Sequence, residues 1–475
     1  MPKKKIYPDW VEKHRREGTN ISFISGNYYL YSCTSVWSSE KGRPQKKTTG
    51  YLGRITEDGF IPKAVKTLKE KPVAIVKEFG ATSAIIGLGD DLLQKLKSDF
   101  GTDGETVFAI AVSRLIEQCP FKRTENHYVN SYISEVLPSL KLSPKEISLF
   151  LKDFGVNRAK MVEFMQGFIG NDANILFDGT AIVSNSDKMT VNRIGYNSHG
   201  KFNPQFNLLY AFSADEMQPV YYRVISGNVR DVTALSLTLE ESGMANGIIV
   251  ADKGFASDNN FEDIESANIK YVVPLKRNST AIDYTAFKSG SKTAFDGHFM
   301  FKGRPIWYIV KDDIYSYLDS DLKADEERSY MVSIEREIDG YTVNNFHEKQ
   351  HVFGSITLKS NAKKAAQETY LLYKQRREIE QSFDFLKNLL DQDKSYMQSE
   401  KSLESWAFIN HIALLLCYKF YRLLKNKELI SQYSIADFLA HLKYIHKVKI
   451  NGIWQTSEIT KKTQTMITKL GLHIT

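Results

Sequence analysis

Ile175-Leu-Phe-Asp-Gly-Thr-Ala-Ile-Val183 opens the stretch whose pattern decides the fold. Two further strand-like runs follow it, Phe206-Asn-Leu-Leu-Tyr-Ala-Phe212 and Pro219-Val-Tyr-Tyr-Arg-Val-Ile225. Helical spacing then spans Asp231 to Ser242, before a continuously apolar strand at Gly247-Ile-Ile-Val-Ala-Asp252. A helix near Asp258 to Ala267 and the strand Tyr271-Val-Val-Pro274 complete the order β-β-β-α-β-α-β. Three strands followed by strand-helix alternation predict a mixed sheet covered by helices, an α/β fold.

Outward from this stretch the pattern changes on both sides. Residues 281–358 are strand-like and rich in Tyr, Lys and Asp, interrupted by the charged Ser320-Asp-Leu-Lys-Ala-Asp-Glu-Glu-Arg328, an exposed loop or short helix. Upstream, Ser83 to Phe168 has helical spacing, with Ser143 as an N-cap and Pro144 at the first helical position. The first eighty residues alternate aromatic and polar positions, as in Ile21-Ser-Phe-Ile-Ser-Gly-Asn-Tyr-Tyr-Leu-Tyr-Ser-Cys33, and predict short antiparallel strands. The expected organisation is a basic β-rich module (1–80), a helical region that could be part of a DNA-binding unit or a plain helical bundle (81–172), the first part of the core (173–280), a β-rich insertion (281–360), the second part of the core with the Glu380 helix (361–430) and a basic helical tail (431–475), the core being preceded by a basic DNA-binding region.

The chain has 475 residues, 63 Lys plus Arg against 56 Asp plus Glu, a net charge of +7 and 42% hydrophobic residues, which exclude disorder as its main character. The apolar run His411 to Tyr418 falls short of the roughly 20 residues that cross a bilayer, so neither secretion nor membrane insertion is expected. Cys33, Cys119 and Cys417 form no local pair, which fits a reducing cytoplasm. Residues 1–78 carry +8 and residues 419–475 carry +7, leaving −8 between them. Basic ends around a carboxylate-rich middle suit a polyanion held at its edges, although solvated surface lysine gives the same tally.

From Ala362 to Asp391 no Gly or Pro interrupts a helical pattern, and a second apolar helix runs from Leu403 to Leu424. At about 100° per residue, Leu372, Ile379, Phe383, Leu386 and Leu390 share one face. Tyr373, Arg376, Glu380 and Lys387 form a polar stripe beside it, about 21 Å long at 1.5 Å per residue. A nucleic-acid strand could span that stripe, with its cations on phosphates and its glutamate left for a metal ion. Taken alone, an amphipathic surface helix with a routine Arg376–Glu380 pair accounts for it as well.

The spacing Tyr373-x2-Arg376-x3-Glu380-x6-Lys387 resembles the Tyr-Arg-Glu-Lys signature of DDE transposases from bacterial insertion sequences. These are the cut-and-paste group with a β-strand insertion in an RNase H-like core. The resemblance extends to Phe177-Asp178-Gly-Thr180, Gly227-Asn228-x2-Asp231 and Val250-Ala-Asp252-Lys-Gly-Phe255, and covers roughly Ile175 to Leu424. It implies an RNase H-like mixed-sheet core split by a β-rich insertion, with Asp178, Asp252 and Glu380 as the catalytic, metal-binding carboxylates. By the same resemblance Tyr373, Arg376 and Lys387 hold DNA phosphates, and Mg²⁺, with Mn²⁺ able to substitute, serves a two-metal phosphoryl transfer. The implied partners are double-stranded DNA, as element ends and target, and a second copy in a homodimer on DNA. The implied location is the bacterial cytoplasm, on the nucleoid.

Rival readings stand beside this one. A metal-dependent nuclease without strand transfer, or a silent DNA-binding descendant, would share much of the pattern. Asp384 is a competing carboxylate on the same stripe, and Trp307 in the insertion could stack on a displaced base or simply pack in a sheet. His347-Glu348-Lys-Gln-His351 fits the zinc-protease pattern, but its flanks read as strands with a turn, which would keep the two histidines off one helical face.

Overall fold

The computed structural model describes residues 6–39, 41–63, 74–170, 174–196, 202–228, 231–244, 248–251, 256, 258–266 and 269–474. The chain divides into two compact units, Met1–Val73 and Ala74–Thr475. In the smaller, a one-turn helix α1 (Asp9–Glu12) precedes β1 (Thr19–Ile24), β2 (Asn27–Ser38), β3 (Arg43–Thr56) and β4 (Gly59–Pro62), paired in that order. Period-two alternation places Ile21, Leu30 and Ile55 on one face, where they bury Val11 together with Tyr7, Trp10, Tyr28 and Phe60.

The larger unit begins with β5 (Ala74–Glu78) and a helical layer: α2 (Gly80–Leu88), α3 (Asp90–Phe100), α4 (Thr102–Glu117), α5 (Thr124–Asn130), α6 (Ile133–Val136), α7 (Pro144–Phe154) and α8 (Arg158–Gln166). Helix α7 starts where the sequence signals it, Ser143 Oγ accepting from the Glu146 amide at 3.3 Å. The strands of the deciding stretch follow as β6 (Asn174–Ser184), a short β7 (Arg193–Tyr196), β8 (Phe202–Ser213) and β9 (Gln218–Ser226). Then come α9 (Asp231–Ser242), β10 (Ile248–Val250), α10 (Asp258–Ser266) and β11 (Lys270–Pro274). Apart from β7, the order is the one the pattern predicts.

Residues 285–360 add α11 (Thr285–Ser289), β12 (Gly297–Phe301), β13 (Arg304–Lys311), β14 (Ile314–Asp319), α12 (Ser320–Glu335), α13 (Val343–Lys349) and β15 (Ser355–Ser360). Strands β12 to β15 extend the same sheet, β15 pairing antiparallel with β11. The charged Ser320 segment is a full helix of 16 residues, started by Asp319 accepting from the Leu322 amide. The zinc-protease-like segment is also helical, contrary to its strand-like flanks. Thr342 caps α13, and at helical spacing the two histidines are four residues apart, with His351 past the helix end and edge-on to Tyr284 at 5.2 Å.

Three helices follow: α14 (Ala366–Gln375), α15 (Arg377–Asp384) and α16 (Glu400–Asn426), with the two-residue β16 (Lys394–Ser395) between the last two. The expected uninterrupted helix from Ala362 is therefore broken. Lys363 is left-handed at φ 50°, which delays the start, and a tight turn at Arg376 separates α14 from α15. A π turn over Phe385–Leu389 follows, with the Leu390 amide donating to the Phe385 carbonyl. The wider turn brings Phe385 and Leu389 onto the buried side with Leu386 and Leu390, which a uniform 100° step does not.

Helix α16 is by length and composition able to cross a membrane, unlike any run singled out above, yet 78% of its apolar window is buried inside this fold. Phe408 packs against Phe100, Phe154 and Phe164, and a Cβ at Gly155 would come within 1.8 Å of the Lys401 carbonyl, so only glycine lets α7 approach this closely. The C-terminal region is not wholly helical. Between α17 (Ile435–Leu442) and α18 (Lys461–Leu470), β17 (His446–Ile450) and β18 (Ile453–Thr456) form a hairpin paired to β5.

Candidate active site

Strand β6 pairs with three others, β8, β10 and β16. One edge pairs with β8 from Ile175 to Val183, so Asp178 lies opposite Tyr210. Its other edge is shared: β10 runs parallel along Asn174 to Leu176, and β16 along Val183 and Ser184. Asp178 falls between these two pairings, at the carboxyl end of β10, where open α/β sheets place their ligands. The paired residues Leu176 and Val250 each precede an aspartate by two positions, Asp178 on one strand and Asp252 on the other. Asp252 itself lies outside the described residues.

The turn at Arg376 carries its side chain to Asp178. The Arg376 amide donates to Tyr373 O and the Ile379 amide to Arg376 O, each three residues apart and 3.1 Å long, a local tightening between two α-helices. Arg376 Nη2 then lies 3.4 Å from Asp178 Oδ2, and Nη1 lies 3.6 Å from Glu380 Oε1. Arg376 and Asp178 are 16% and 17% exposed, while Glu380 is 56% exposed and faces solvent. Asp178 Oδ1 also accepts from the Gly179 amide at 2.9 Å. Two carboxylates from distant parts of the chain thus converge on one guanidinium.

Lys387, in the π turn, is half-buried; burial lowers the pKa of its ammonium, while Asp393 and Asp178 pull it back upward. Tyr373 and Arg376 form the wall between two clefts. One, of about 570 Å³, is lined by Phe301, Lys302, Arg304 and Asp321 with Lys374, Arg377 and Glu380. The other, of about 690 Å³, is lined by residues 274–278 and 355–357. Five cations against two acids give the first cleft a positive lining. The competing Asp384 is exposed and accepts from Gln381 on its own helix and from Asn388 in the π turn. Trp307 sits on β13 against His298 at 4.9 Å and is not among the residues that line either cleft.

The cations Lys302, Arg304, Lys374 and Arg377 were not among the sequence candidates. Lys374 and Arg377 adjoin the signature positions, and Lys302-Gly-Arg304 is a basic turn between strands; only the sheet pairing reveals that they share a cleft.

Among the described residues no group of three or more His, Cys, Asp or Glu is arranged to hold a metal ion. The Asp178 and Glu380 oxygens around one cationic position suit a hard divalent cation, which takes carboxylate oxygens and completes its shell with water and phosphate.

A mixed α/β sheet that brings two carboxylates to one guanidinium beside a cationic cleft is the frame, and comparison with known families supplies the class. Residues 172–416, just over half of the 475, match the family described as Transposase DDE domain. The chain belongs to that family and is a DDE transposase; members of the family generally use divalent metal ions. No curated protein matches it. Among solved structures it is similar to a cryo-EM structure of the piggyBac transposase synaptic complex with hairpin DNA, at 11% identity and a TM-score of 0.40, covering 72% of this chain and 70% of that one.

Proposed function

We propose that this chain is the transposase of a bacterial insertion sequence, of the Tyr-Arg-Glu-Lys group, which binds the terminal inverted repeats of its own element and cuts and rejoins DNA there. The observation that carries the reading is the meeting of Asp178, from β6, and Glu380, from α15, on the Arg376 guanidinium. These residues lie about 200 positions apart and match the family signature. In this reading β6 to β11 with α14 to α16 form an RNase H-like core, and β12 to β15 are its insertion.

Asp178, Asp252 and Glu380 would hold two Mg²⁺, or Mn²⁺ in their place, and the ions would supply Lewis-acid activation and charge stabilisation for phosphoryl transfer. Arg376 and Lys387 bind successive phosphates as charge-assisted donors, and the Tyr373 hydroxyl takes another. Together they orient the scissile phosphate over the carboxylates, so that water opens the strand at the element end. The freed 3′-hydroxyl then attacks target DNA in line. The active form is a homodimer bridging two ends, acting in the cytoplasm on the nucleoid.

The test is incubation of purified protein with labelled duplex from both flanks of its gene, in Mg²⁺ and in EDTA, with Glu380→Gln alongside. Nicking at matching inverted sequences, followed by joining to a second duplex and absent in the variant, is the expected result. Nicking without joining would leave a nuclease, and binding without nicking a silent descendant. Equal cleavage by the variant would overturn the carboxylate assignment.

A further inference from the structure

In the smaller unit, β2 and β3 are longer than the core beneath them requires. The core is covered by the half of the ribbon near Leu30 and Ile55. Beyond it, six cross-strand pairs continue from Cys33 opposite Thr48 to Ser38 opposite Arg43. Nine of the twelve paired residues are exposed, Val36 at 46% and Trp37 at 65%, and Cys33, Ser38 and Gln45 are half-buried. At about 3.4 Å per residue the extension is roughly 17 Å long. Two register shifts mark where it leaves the core, between Leu30 and Tyr31 and between Ser32 and Cys33. Leu52 and Thr49 are the extra residues on β3; such bulges bend a ribbon and re-aim its side chains.

Alternation separates the extension into two faces. Ser35 and Trp37 lie opposite Lys46 and Pro44 on one, and the Lys46 ammonium is folded back onto the Thr19 carbonyl at 3.1 Å and Asn20 Oδ1 at 3.4 Å. On the other, Thr34, Val36 and Ser38 lie opposite Lys47, Gln45 and Arg43. Among the described residues the Arg43, Gln45 and Lys47 side chains make no hydrogen bond or ion pair. They present a row of donors about 7 Å apart along one strand.

We propose that this ribbon enters the major groove of duplex DNA, with Arg43 and Gln45 reading base edges and Lys47 and Lys41 holding phosphates. The proposal rests on the transposase reading for its biological target but not for its chemistry. A major groove admits a two-stranded β-ribbon, and its base edges suit these side chains: Arg pairs bidentately with guanine, Gln with adenine, and an apolar group such as Val36 meets the thymine methyl. Charge selects the occupant. The stretch from Thr34 to Lys47 carries Lys41, Arg43, Lys46 and Lys47 against Glu40, so two copies of the arm repel each other while a polyanion is attracted.

The test is selection of preferred sequences from a random duplex pool by the full chain in EDTA, where no cleavage is needed, followed by dimethyl sulfate footprinting. Wild type should recover a preferred sequence and shield guanine N7 in it. Arg43→Lys, which keeps the charge and loses the bidentate fork, should bind random duplex within about twofold of wild type. It should lose preference at one guanine by roughly ten- to a hundredfold. Arg43→Ala with Gln45→Ala should lose it at two positions. Unchanged preference in both variants, no preference in wild type, or protection confined to adenine N3 in the minor groove would overturn the assignment. So would a change in oligomeric state, measured by mass photometry, with preference intact. Loss of preference in a protein that never cuts its flanking DNA would keep the ribbon and remove the transposase reading; cleavage at the ends with ribbon variants unaffected would do the reverse.

Discussion

Replacing Arg376 by Met keeps the length of the aliphatic stem and removes only the charge between Asp178 and Glu380. At 3.4 Å, with an effective dielectric constant of about 20, the Arg376–Asp178 attraction is about 5 kcal/mol before desolvation is counted. Both groups are mostly buried, so removing the guanidinium takes the near cation from a desolvated Asp178, which keeps the Gly179 amide and the pull of Lys387, and the net loss is about 2 kcal/mol. The Glu380 contact adds little, because its carboxylate is more than half exposed. In EDTA, Arg376→Met should therefore unfold at a clearly lower urea concentration than wild type. Mg²⁺ should narrow that gap, since the carboxylates then gain a cation that no longer competes with a guanidinium; an ion at 100 times its Kd adds about 2.7 kcal/mol. The assay is urea unfolding by circular dichroism at constant ionic strength with and without Mg²⁺. Equal midpoints in EDTA, or an identical Mg²⁺ effect in both proteins, would refute the reasoning.

Lys387→Ala should weaken binding to end DNA and reduce the slope of log affinity against log salt by about 0.9, one phosphate contact, measured by fluorescence anisotropy. Two buried histidines make stability pH-dependent: burial pushes His127 down to about 4 and His411 down to about 3. Both are neutral in the fold, so the unfolded chain takes up protons first as pH falls. Their stabilisation is complete above about 6.5 and is lost progressively below it, down to about 4 for His127, on the order of 3 kcal/mol. His411 lies between Tyr210 and Tyr222, and among the described residues neither ring nitrogen has a hydrogen-bond partner, so His411→Phe should flatten the fall of the urea midpoint between pH 6 and pH 4. Arg158 joins α8 to α9 and α16 through Glu241 at 3.1 Å and Glu404 at 3.4 Å; Arg158→Leu should strand the Glu404 carboxylate, while Glu241 keeps Arg223 at 2.9 Å, and destabilise by about 3 kcal/mol in the same urea assay.

The central sheet was legible because its strands are buried on both faces and read as continuous apolar runs; β6, β8 and β9 lie within a few residues of where the pattern puts them. Helix α16 was equally plain from its apolar content. The breaks at Arg376 and Phe385 were not, because neither Gly nor Pro marks them and both follow from tertiary pull on a sequence with good local helix propensity. The helix α13 was missed because Tyr341-Thr-Val has strand-like composition, while Thr342 acts instead as a cap. For the candidate site, the spacing of Tyr373, Arg376, Glu380 and Lys387 singled out residues that the fold gathers around Asp178 or along the neighbouring clefts. The cleft cations Lys302 and Arg304 depended on strand pairing across the β12 to β15 segment, a long-range contact that local pattern cannot carry.

The most direct test of the account asks where a divalent ion sits. Fe²⁺ replacing Mg²⁺, with ascorbate and peroxide, generates radicals that cut the nearest polypeptide backbone, and the fragments are mapped by mass spectrometry. Cuts beside Asp178, Asp252 and Glu380, suppressed by excess Mg²⁺ and lost in Asp178→Asn, are the predicted result. Cuts clustered instead at His347 to His351, or a pattern that excess Mg²⁺ leaves unchanged, would contradict it.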